Sequence, residues 1–458
     1  MLVVTLPPSA QKNPRAFALK AKKEGAQVLE IRGDLTPHVK PFDSALPILR
    51  SPRGEPIGSF RPTFVDLERS ELSRHRRALG RAKLILSFHH YEKTPTFFRL
   101  KGIVLRLRRE KPWAVKIATM VRTPTDLVTL DKLQRWMKRQ KIRSIVLGMG
   151  PLAHLSRITS PLRNILTYTV LDGTDASAPG QLPLSVYHLI ADIREPSLFG
   201  ILGGPHITAS LSPLIHNTLF ARHGIDALYS SFPVEHFAPA MKALKELGID
   251  GLSVTAPFKR DAYETADHPE PVCMTLGVAN TLVRRGRSWK AFNTDWYGIL
   301  HGYPELKTAK RIVILGAGGA VPSAILASRE ANPEASITVY ARDPEKAAES
   351  LAVFGVDVRK LSASRMEKAD VVICAVSADV TLSFPNPSGP KAVAIDLRYG
   401  KPTRFLVAAA KAGYRTKDGI PMLIHQALRQ FRKFTGETPD PSDAPYLTRL
   451  LSSYLHGQ

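Results

Sequence analysis

The chain reads as an α/β protein, a trimmed (β/α)8 barrel at its N-terminus followed by a two-domain α/β unit. Three observations predict this. Eight short, β-rich apolar runs recur between residues 2 and 170, and several are separated by gaps long enough for a helix. A strand, a glycine turn and an apolar helix follow one another in RIVILGAGGAVPSAILAS at 311–328. At 458 residues the chain exceeds what one ordinary core accommodates, so two or three domains are expected.

Composition narrows the function classes. Hydrophobic content of 44% with 23% charged residues is that of a soluble globular protein. No run of about eighteen apolar residues occurs, so no membrane span is expected; the nearest, Ile312–Leu326, is broken by GAGGAVPS. The opening MLVVTLPPSAQK lacks a basic segment ahead of its apolar run and does not read as a signal peptide. Cys273 and Cys374 cannot make a disulfide framework, and no zinc-type spacing exists, so no metal site is expected. A cytoplasmic protein fits. The 64 basic against 40 acidic residues give +24, with clusters at Arg74–Lys83, Arg106–Lys111 and Arg135–Arg143. Without a recognised nucleic-acid motif these read as solvated helix faces on a protein with anionic small-molecule substrates; no nucleic-acid partner is expected.

The eight runs are LVVTL (2–6), VLEIR (28–32), PILRS (47–51), TFVDLE (63–68), LILSFHH (84–90), AVKIA (114–118), SIVLGM (144–149) and ILTYTV (165–170). The gaps 10–25, 92–110 and 123–141 suit helices. Strands alternating with helices argue a parallel sheet, and eight of them argue a closed barrel. Such barrels usually need roughly 250 residues. Here only the first 192 are available, and the 51–62 connection is too short for a helix, so the barrel is trimmed there.

Polar residues stand at the ends of these runs, where a barrel places its chemistry. They are Glu30, Arg32 and Asp34, then Arg53, then Asp66 and Glu68, then His89 and His90. Lys116 is the unusual one, because it lies inside AVKIA. It either snorkels outward among helices or points to the barrel axis. In the axis, desolvation and neighbouring cations would lower its pKa and free an amine nucleophile.

EIRGD, SFHHYEKTP, KIATM, GMGPLAHLSR and SAPGQ, in this order, resemble the type I 3-dehydroquinate dehydratase family. The resemblance implies that Lys116 forms an imine with the substrate ketone and that His89 is the general acid/base, giving 3-dehydroshikimate and water. It also implies that Glu30, Arg32, Arg53, Arg157, Ser177 and Gln181 hold the substrate's carboxylate and hydroxyls. Three departures accompany it. His90 replaces the acidic residue that usually follows the catalytic histidine. GEPIG, with Glu55, stands where an acidic-Gly-Gly segment is usual. The 51–62 connection lacks a family helix.

In the second half, SLFGILGGP (197–205) leads into SLSPLIHNTLF, whose Ser212-Pro213 reads as a helix N-cap and N1 pair. Ser210 and Ser212 at that helix start make a carboxylate site or serve as caps alone. SVTAPFK (253–259), GVANTL (277–282) and AFNTD (291–295) present polar groups at strand ends. In the glycine turn, Gly316, Ala317, Gly318, Gly319 and Ala320 allow close approach of a pyrophosphate to a helix N-terminus, although Val321 fills the third small position. About twenty residues on, Arg342 suits a 2′-phosphate, which favours NADP over NAD; Asp343 would repel that phosphate if turned inward.

The ordered set SLSP, SVTAPFK, GVANT, NTD, GAGGA, the DLRY that carries Tyr399, and GIPMLIHQ resembles the shikimate dehydrogenase family. It implies a catalytic pair, Lys259 and Asp295, with NADPH as hydride donor. By the same resemblance Ser210 and Ser212 bind the carboxylate, while Thr255, Asn280, Tyr399 and Gln426 hold ring hydroxyls or line the cleft. Gly316, Gly318, Gly319 and Arg342 bind the cofactor, with Gly419 near its nicotinamide end. Ser253, Ala291, Cys374 and Val376 depart from the family's usual residues.

The product implied for the first half is the substrate implied for the second. The expected organisation is therefore a barrel over 1–192, a shikimate-binding α/β domain over 193–299 completed by 420–458, and a Rossmann NADP-binding domain over 300–419. The linker proper is expected at Val186–Pro196, and 422–455 has helical spacing, with Gln426 on its first turn. Three other readings stay open: a dehydrogenase with a vestigial barrel, quinate as preferred substrate, and a basic barrel that binds nucleic acid or a protein partner. Nothing in the residues sets the oligomeric state.

Overall fold

The computed structural model describes residues 1–361, 366–376 and 382–456 and divides the chain into two compact units. Unit 1 comprises residues 1–213 and 220–249, and unit 2 comprises 214–219 and 250–458.

Unit 1 begins with eight parallel strands: β1 (Leu2–Thr5), β2 (Val28–Arg32), β3 (Ile48–Ser51), β4 (Phe64–Glu68), β5 (Lys83–His90), β6 (Ala114–Met120), β7 (Ser144–Met149) and β8 (Thr167–Thr169). Their order is β7-β6-β5-β4-β3-β2-β1-β8, so the sheet curls until its last two strands face each other. Strand alternation then builds layers inside the barrel. The lower layer is apolar: Val3, Val28, Leu49, Phe64, Ile85, Ala114 and Ile145 pack together. Two residues further along six of these strands, the same face turns polar and stays buried, with Thr5, Glu30, Ser51, Asp66, Ser87 and Lys116. The inward reading of Lys116 is the observed one.

The seam between β7 and β8 has no strand ladder among the described pairings. One backbone bond crosses it, from Ile165 N–H to the Ser144 carbonyl at 3.3 Å. The Asn164 side chain supplies the rest. Its Oδ1 accepts from Val146 N–H at 2.9 Å, and its Nδ2 donates to the Val146 carbonyl at 3.1 Å. A side-chain amide thus does the work of a strand residue.

Helices α1 (Pro14–Lys23), α2 (Leu72–His75), α3 (Phe97–Arg108), α4 (Pro124–Arg139), α5 (His154–Ile158), α6 (Ser160–Arg163) and α7 (Leu184–Leu189) complete the barrel. The three gaps expected to be helical carry α1, α3 and α4. Local chemistry starts two of them: Asn13 accepts from Ala16 N–H ahead of Pro14, and Asp126 accepts from Thr123 N–H at 3.0 Å. The barrel is trimmed in two places rather than one, because no helix joins β2 to β3 or β3 to β4. Val39, Leu46 and Phe60 from those connections pack with Phe17 and Ala21 of α1 over Leu29 and Ile31, covering what a helix would cover. The expected linker is also shorter, since α7 occupies its first residues and His188 Nε2 bonds the Glu24 carbonyl at 2.7 Å. Unit 1 further holds the parallel pair β9 (Ser197–Gly203) and β10 (Ala227–Pro233) and helix α9 (Phe237–Glu246); α8 (Ser212–Arg222) precedes β10.

Unit 2 contains β11 (Gly251–Val254), β12 (His268–Pro269), β13 (Thr281–Arg285) and β14 (Ser288–Phe292), with β13 antiparallel to β11 and β14. Helices α10 (Lys259–Thr265), α11 (Pro271–Leu276) and α12 (Asp295–Gly302) accompany them. A second, all-parallel sheet follows: β15 (Arg311–Leu315), β16 (Ser336–Ala341), β17 (Asp357–Lys360), β18 (Val371–Cys374), β19 (Val393–Asp396) and β20 (Arg415–Lys417). Its order, β17-β16-β15-β18-β19-β20, is the 3-2-1-4-5-6 arrangement of a Rossmann domain, with the switch point beside β15. Helices α13 (Val321–Ala331), α14 (Pro344–Leu351) and α15 (Arg404–Lys411) belong to it. The C-terminal stretch is two helices, α16 (Ile420–Thr435) and α17 (Asp443–His456), separated at Gly436, whose φ of 84° ends the first. Gln426 therefore sits on the second turn of α16 rather than the first. Among the described residues no helix is long and apolar enough to cross a membrane.

Candidate active site

The polar layer of the barrel opens into a cavity of about 110 Å³. Glu30, Arg32, Arg53, His89, Lys116, Arg157, Ser177 and Gln181 all line it, so the structure gathers the eight residues to which the dehydratase resemblance gives roles. Tyr91, Met149 and Tyr168 line it too.

At its base, Lys116 Nζ donates to Asp66 Oδ2 at 2.8 Å and lies 4.0 Å from the centre of the Tyr168 ring. Burial lowers the lysine pKa from its ordinary value, and Arg53 adds to that, while Asp66 opposes it. Burial alone would raise the Asp66 carboxyl, but Lys116 and Arg53 hold it well below the usual carboxylate range. Its second oxygen accepts from Ser87 Oγ.

Beside the lysine, His89 Nδ1 contacts Glu68 Oε1. The Arg53 guanidinium lies along the imidazole, 3.5 Å from Nδ1 and 3.4 Å from Nε2, and Tyr91 stacks at 5.9 Å. Burial lowers the His89 pKa, Glu68 opposes, and Lys116 and Arg53 lower it further. Burial thus favours the neutral ring, the form able to take a proton. Arg53 reaches this place with φ of 52°, a left-handed conformation that costs a non-glycine residue about 1–3 kcal/mol.

The remaining groups are held by the loops. Glu30 accepts from Thr5 at 2.6 Å and Ser51 at 2.7 Å. Arg32 is bidentate to Asp34 and donates to the Ser177 carbonyl at 2.9 Å. Gln181 Oε1 collects the N–H groups of Ser177 and Ala178, shaping the loop after β8. Arg157, fully enclosed, donates to the Gly148 carbonyl at 2.8 Å, and burial lowers it to about 10.

In unit 2, Lys259 Nζ donates to Asp295 Oδ2 at 2.5 Å, and Asn280 Nδ2 donates to Asp295 Oδ1 at 2.8 Å. Asn280 Oδ1 accepts from Thr294 N–H at 2.8 Å, and Thr294 reaches Gln426 at 3.4 Å. Thr255 opens the turn before Lys259, its carbonyl accepting from Phe258 N–H. The glycine turn adjoins this pair. A Cβ at Gly319 would stand 3.6 Å from Lys259 Cδ, whereas Gly318 has open space. Gly316 has φ of 119°, and Gly419 could carry no Cβ, which would fall 2.2 Å from the Leu397 carbonyl oxygen. Tyr399 follows the Asp396–Arg398 pair at the end of β19. This glycine cradle at the switch point fits a dinucleotide's pyrophosphate.

Arg342 is exposed at the end of β16. Asp343 caps α14, its carboxylate accepting from Lys346 N–H at 3.2 Å. Ser210 and Ser212 lie in unit 1, where Ser210 Oγ accepts from Ser212 N–H at 3.2 Å.

Sequence reasoning placed Asp66 and Glu68 at a strand end without giving either a role, and passed over Tyr168. Period-two alternation in FVDLE puts Asp66 and Glu68 on the face of Phe64, a signal that was present. Glu55 does not take the acidic role suggested for it: it is exposed and outside the cavity, and Glu68 meets the histidine instead. His90 turns away and accepts weakly from the Glu92 and Lys93 N–H groups.

Comparison with known proteins finds relatives for both halves of the chain. Family models match for type I 3-dehydroquinase at residues 58–194, for the shikimate dehydrogenase substrate-binding domain at 202–282, and for the shikimate 5′-dehydrogenase C-terminal domain at 419–443. The model described as NADP oxidoreductase coenzyme F420-dependent matches residues 311–393. The chain is 25% identical to the chloroplastic bifunctional 3-dehydroquinate dehydratase/shikimate dehydrogenase of Arabidopsis thaliana, over 95% of this chain and 81% of that one. It is 34% identical to the NADP(+) shikimate dehydrogenase of Pyrococcus abyssi, over 53% of this chain and 94% of that one. A solved dehydroquinate dehydratase and shikimate dehydrogenase from S. pombe aligns over 97% of both chains at 21% identity and a TM-score of 0.46. The chain belongs to the shikimate dehydrogenase family and carries a type I 3-dehydroquinase module ahead of it.

Proposed function

We propose that the chain carries out two consecutive steps, dehydration of 3-dehydroquinate to 3-dehydroshikimate and NADPH-dependent reduction of that product to shikimate. The observation that supports this most strongly is the pairing, in one polypeptide, of the Lys116–His89 cavity with the Lys259–Asp295 pair beside a glycine cradle. In our reading residues 1–192 perform the dehydration, 193–299 with 420–458 hold the shikimate skeleton, and 300–419 hold NADP.

In the barrel, the Lys116 amine adds to the substrate ketone and water leaves, giving an imine that draws electrons from the neighbouring carbon. Glu68 keeps the His89 proton on Nδ1, so Nε2 takes the proton from that carbon. His89 then returns it to the departing hydroxyl, and water releases the product. Arg157 and Arg53 suit a carboxylate, and Glu30 and Gln181 suit hydroxyls.

In the reductase, NADPH when bound supplies the hydride. Lys259 donates a hydrogen bond to the ketone oxygen and its proton to the alkoxide that follows. Asp295 holds Lys259 in place, Asn280 holds Asp295, and Arg342 receives the 2′-phosphate. Both cysteines are buried and outside any disulfide, which suits a cytoplasmic protein. The basic surface is read as solvated, with no nucleic-acid partner.

A coupled assay tests the whole reading. Dehydroquinate with NADPH should consume the cofactor only when both sites work, and dehydroshikimate with NADPH isolates the second. Borohydride with dehydroquinate should trap an adduct on Lys116. Turnover with an unmodified lysine would refute the imine route.

A further inference from the structure

We propose that Asp66 is the fixed counter-ion of the Lys116 nitrogen, holding it cationic both before substrate arrives and after the imine forms. This deepens the Schiff-base reading above and rests on it. The geometry is specific. Asp66 has no exposed surface; one oxygen lies 2.8 Å from Nζ and also accepts from Arg53 at 3.3 Å, and the other is engaged by Ser87. The Tyr168 ring covers a second side of the nitrogen at 4.0 Å, another environment that favours a cation. The second carboxylate of β4 is committed elsewhere, because Glu68 sits on His89. Strand β4 thus gives each reacting group its own carboxylate.

Atom balance explains why one arrangement serves two states. A protonated amine and a ketone give a protonated imine and water. The carbon–oxygen double bond breaks, a carbon–nitrogen double bond forms, and two nitrogen-bound protons leave with the oxygen. One proton and one positive charge stay on nitrogen. Asp66 therefore faces the same charge at both ends, and only the passing neutral amine is disfavoured. Neutral His89, in the same cavity, accepts the proton during that passage. Without Asp66, burial and Arg53 would both act to strip the proton from the imine, and the electron sink would weaken.

The effect of Asp66→Asn in the full chain should divide sharply. The amine becomes easier to deprotonate, so borohydride with dehydroquinate still traps a Lys116 adduct. Dehydration falls by about 10–1,000-fold, the loss of protonated imine implied by one to three pK units. The pH at which Lys116 becomes reactive toward acetic anhydride should move down by about one unit or more. Reductase activity of the same polypeptide reports folding. Wild-type turnover with an unmoved lysine titration would overturn this inference while leaving the Schiff base intact. Absence of any adduct in the wild type would instead overturn the parent reading. A second measurement needs no variant: wild-type Lys116 should resist acetylation at pH 7, and a lysine already reactive there would sink the idea.

Discussion

Replacing Gly298 by alanine tests how the reductase site is held. Gly298 and Gly302 lie on α12, the helix that begins with Asp295, and they face the start of α16, which carries Gln426. A Cβ on Gly298 would stand 2.6 Å from the Met422 carbonyl oxygen and 2.8 Å from Gln426 Cβ. Carbon atoms pack at about 3.5–4.0 Å. The two helices must therefore part by roughly 1 Å, since one side of the clash is backbone. Overpacking of this kind costs about 1–3 kcal/mol, and alanine's better helix propensity returns up to about 1 kcal/mol. The net loss should lower the melting temperature by a few degrees, at about 2–4 °C per kcal/mol. Activity should suffer more. A misplacement near 1 Å costs about 100-fold, and here it separates Gln426 on α16 from Thr294 and the Asp295–Lys259 pair. The assay is dehydroshikimate-dependent NADPH oxidation, with dehydration by the same polypeptide as control. A kcat/KM within about threefold of wild type, with unchanged melting, would show that the α12–α16 spacing does not set the site.

Three further expectations follow from the barrel. Glu68→Gln should lower dehydration by about 10–100-fold and alter the pH profile of kcat, because the amide no longer fixes the His89 tautomer; an unaltered profile would leave Glu68 without that role. Asn164→Ala should cost about 1–3 kcal/mol in urea unfolding by stranding the Val146 N–H and carbonyl, and should speed hydrogen exchange at Val146. His154, which faces Ser230, is lowered by burial to about 4. The unfolded chain then takes up the proton first as pH falls, so stability is lost between about pH 6.5 and 4, by up to about 3 kcal/mol. His154→Gln should flatten that limb of a stability–pH curve, and a curve unchanged by the substitution would refute the assignment.

Much of this was legible because the barrel speaks in short apolar runs whose ends are polar. LVVTL, VLEIR and AVKIA announce strands, and a lysine inside one of them can only be costly or useful. The glycine turn at 316–320 was equally plain, since a strand and an apolar helix flank it. What stayed hidden depends on facing rather than on composition. FVDLE looks like one acidic strand end, yet one carboxylate meets Lys116 and the other His89, with Arg53 reaching both. Asp343 was ambiguous until its carboxylate was seen capping a helix. The second trimmed crossover escaped notice because Val39 and Leu46 are sparse apolar residues in a proline-rich stretch, with no period to betray that they cover a sheet. Asn164 gave no signal, since its role exists only once β7 and β8 stand side by side.

That asparagine has a mechanical consequence. Lys116 and His89 ride on β6 and β5, strands laddered to neighbours on both flanks. Ser177 and Gln181 follow β8, a three-residue strand with a ladder on one flank and, on the other, one backbone bond and the Asn164 amide. The barrel is therefore stiff around one arc and compliant around the other. Its reacting groups are mounted where the ladders are continuous, and its gripping loop hangs beside the one interruption, held there by side chains such as Arg32 and Gln181.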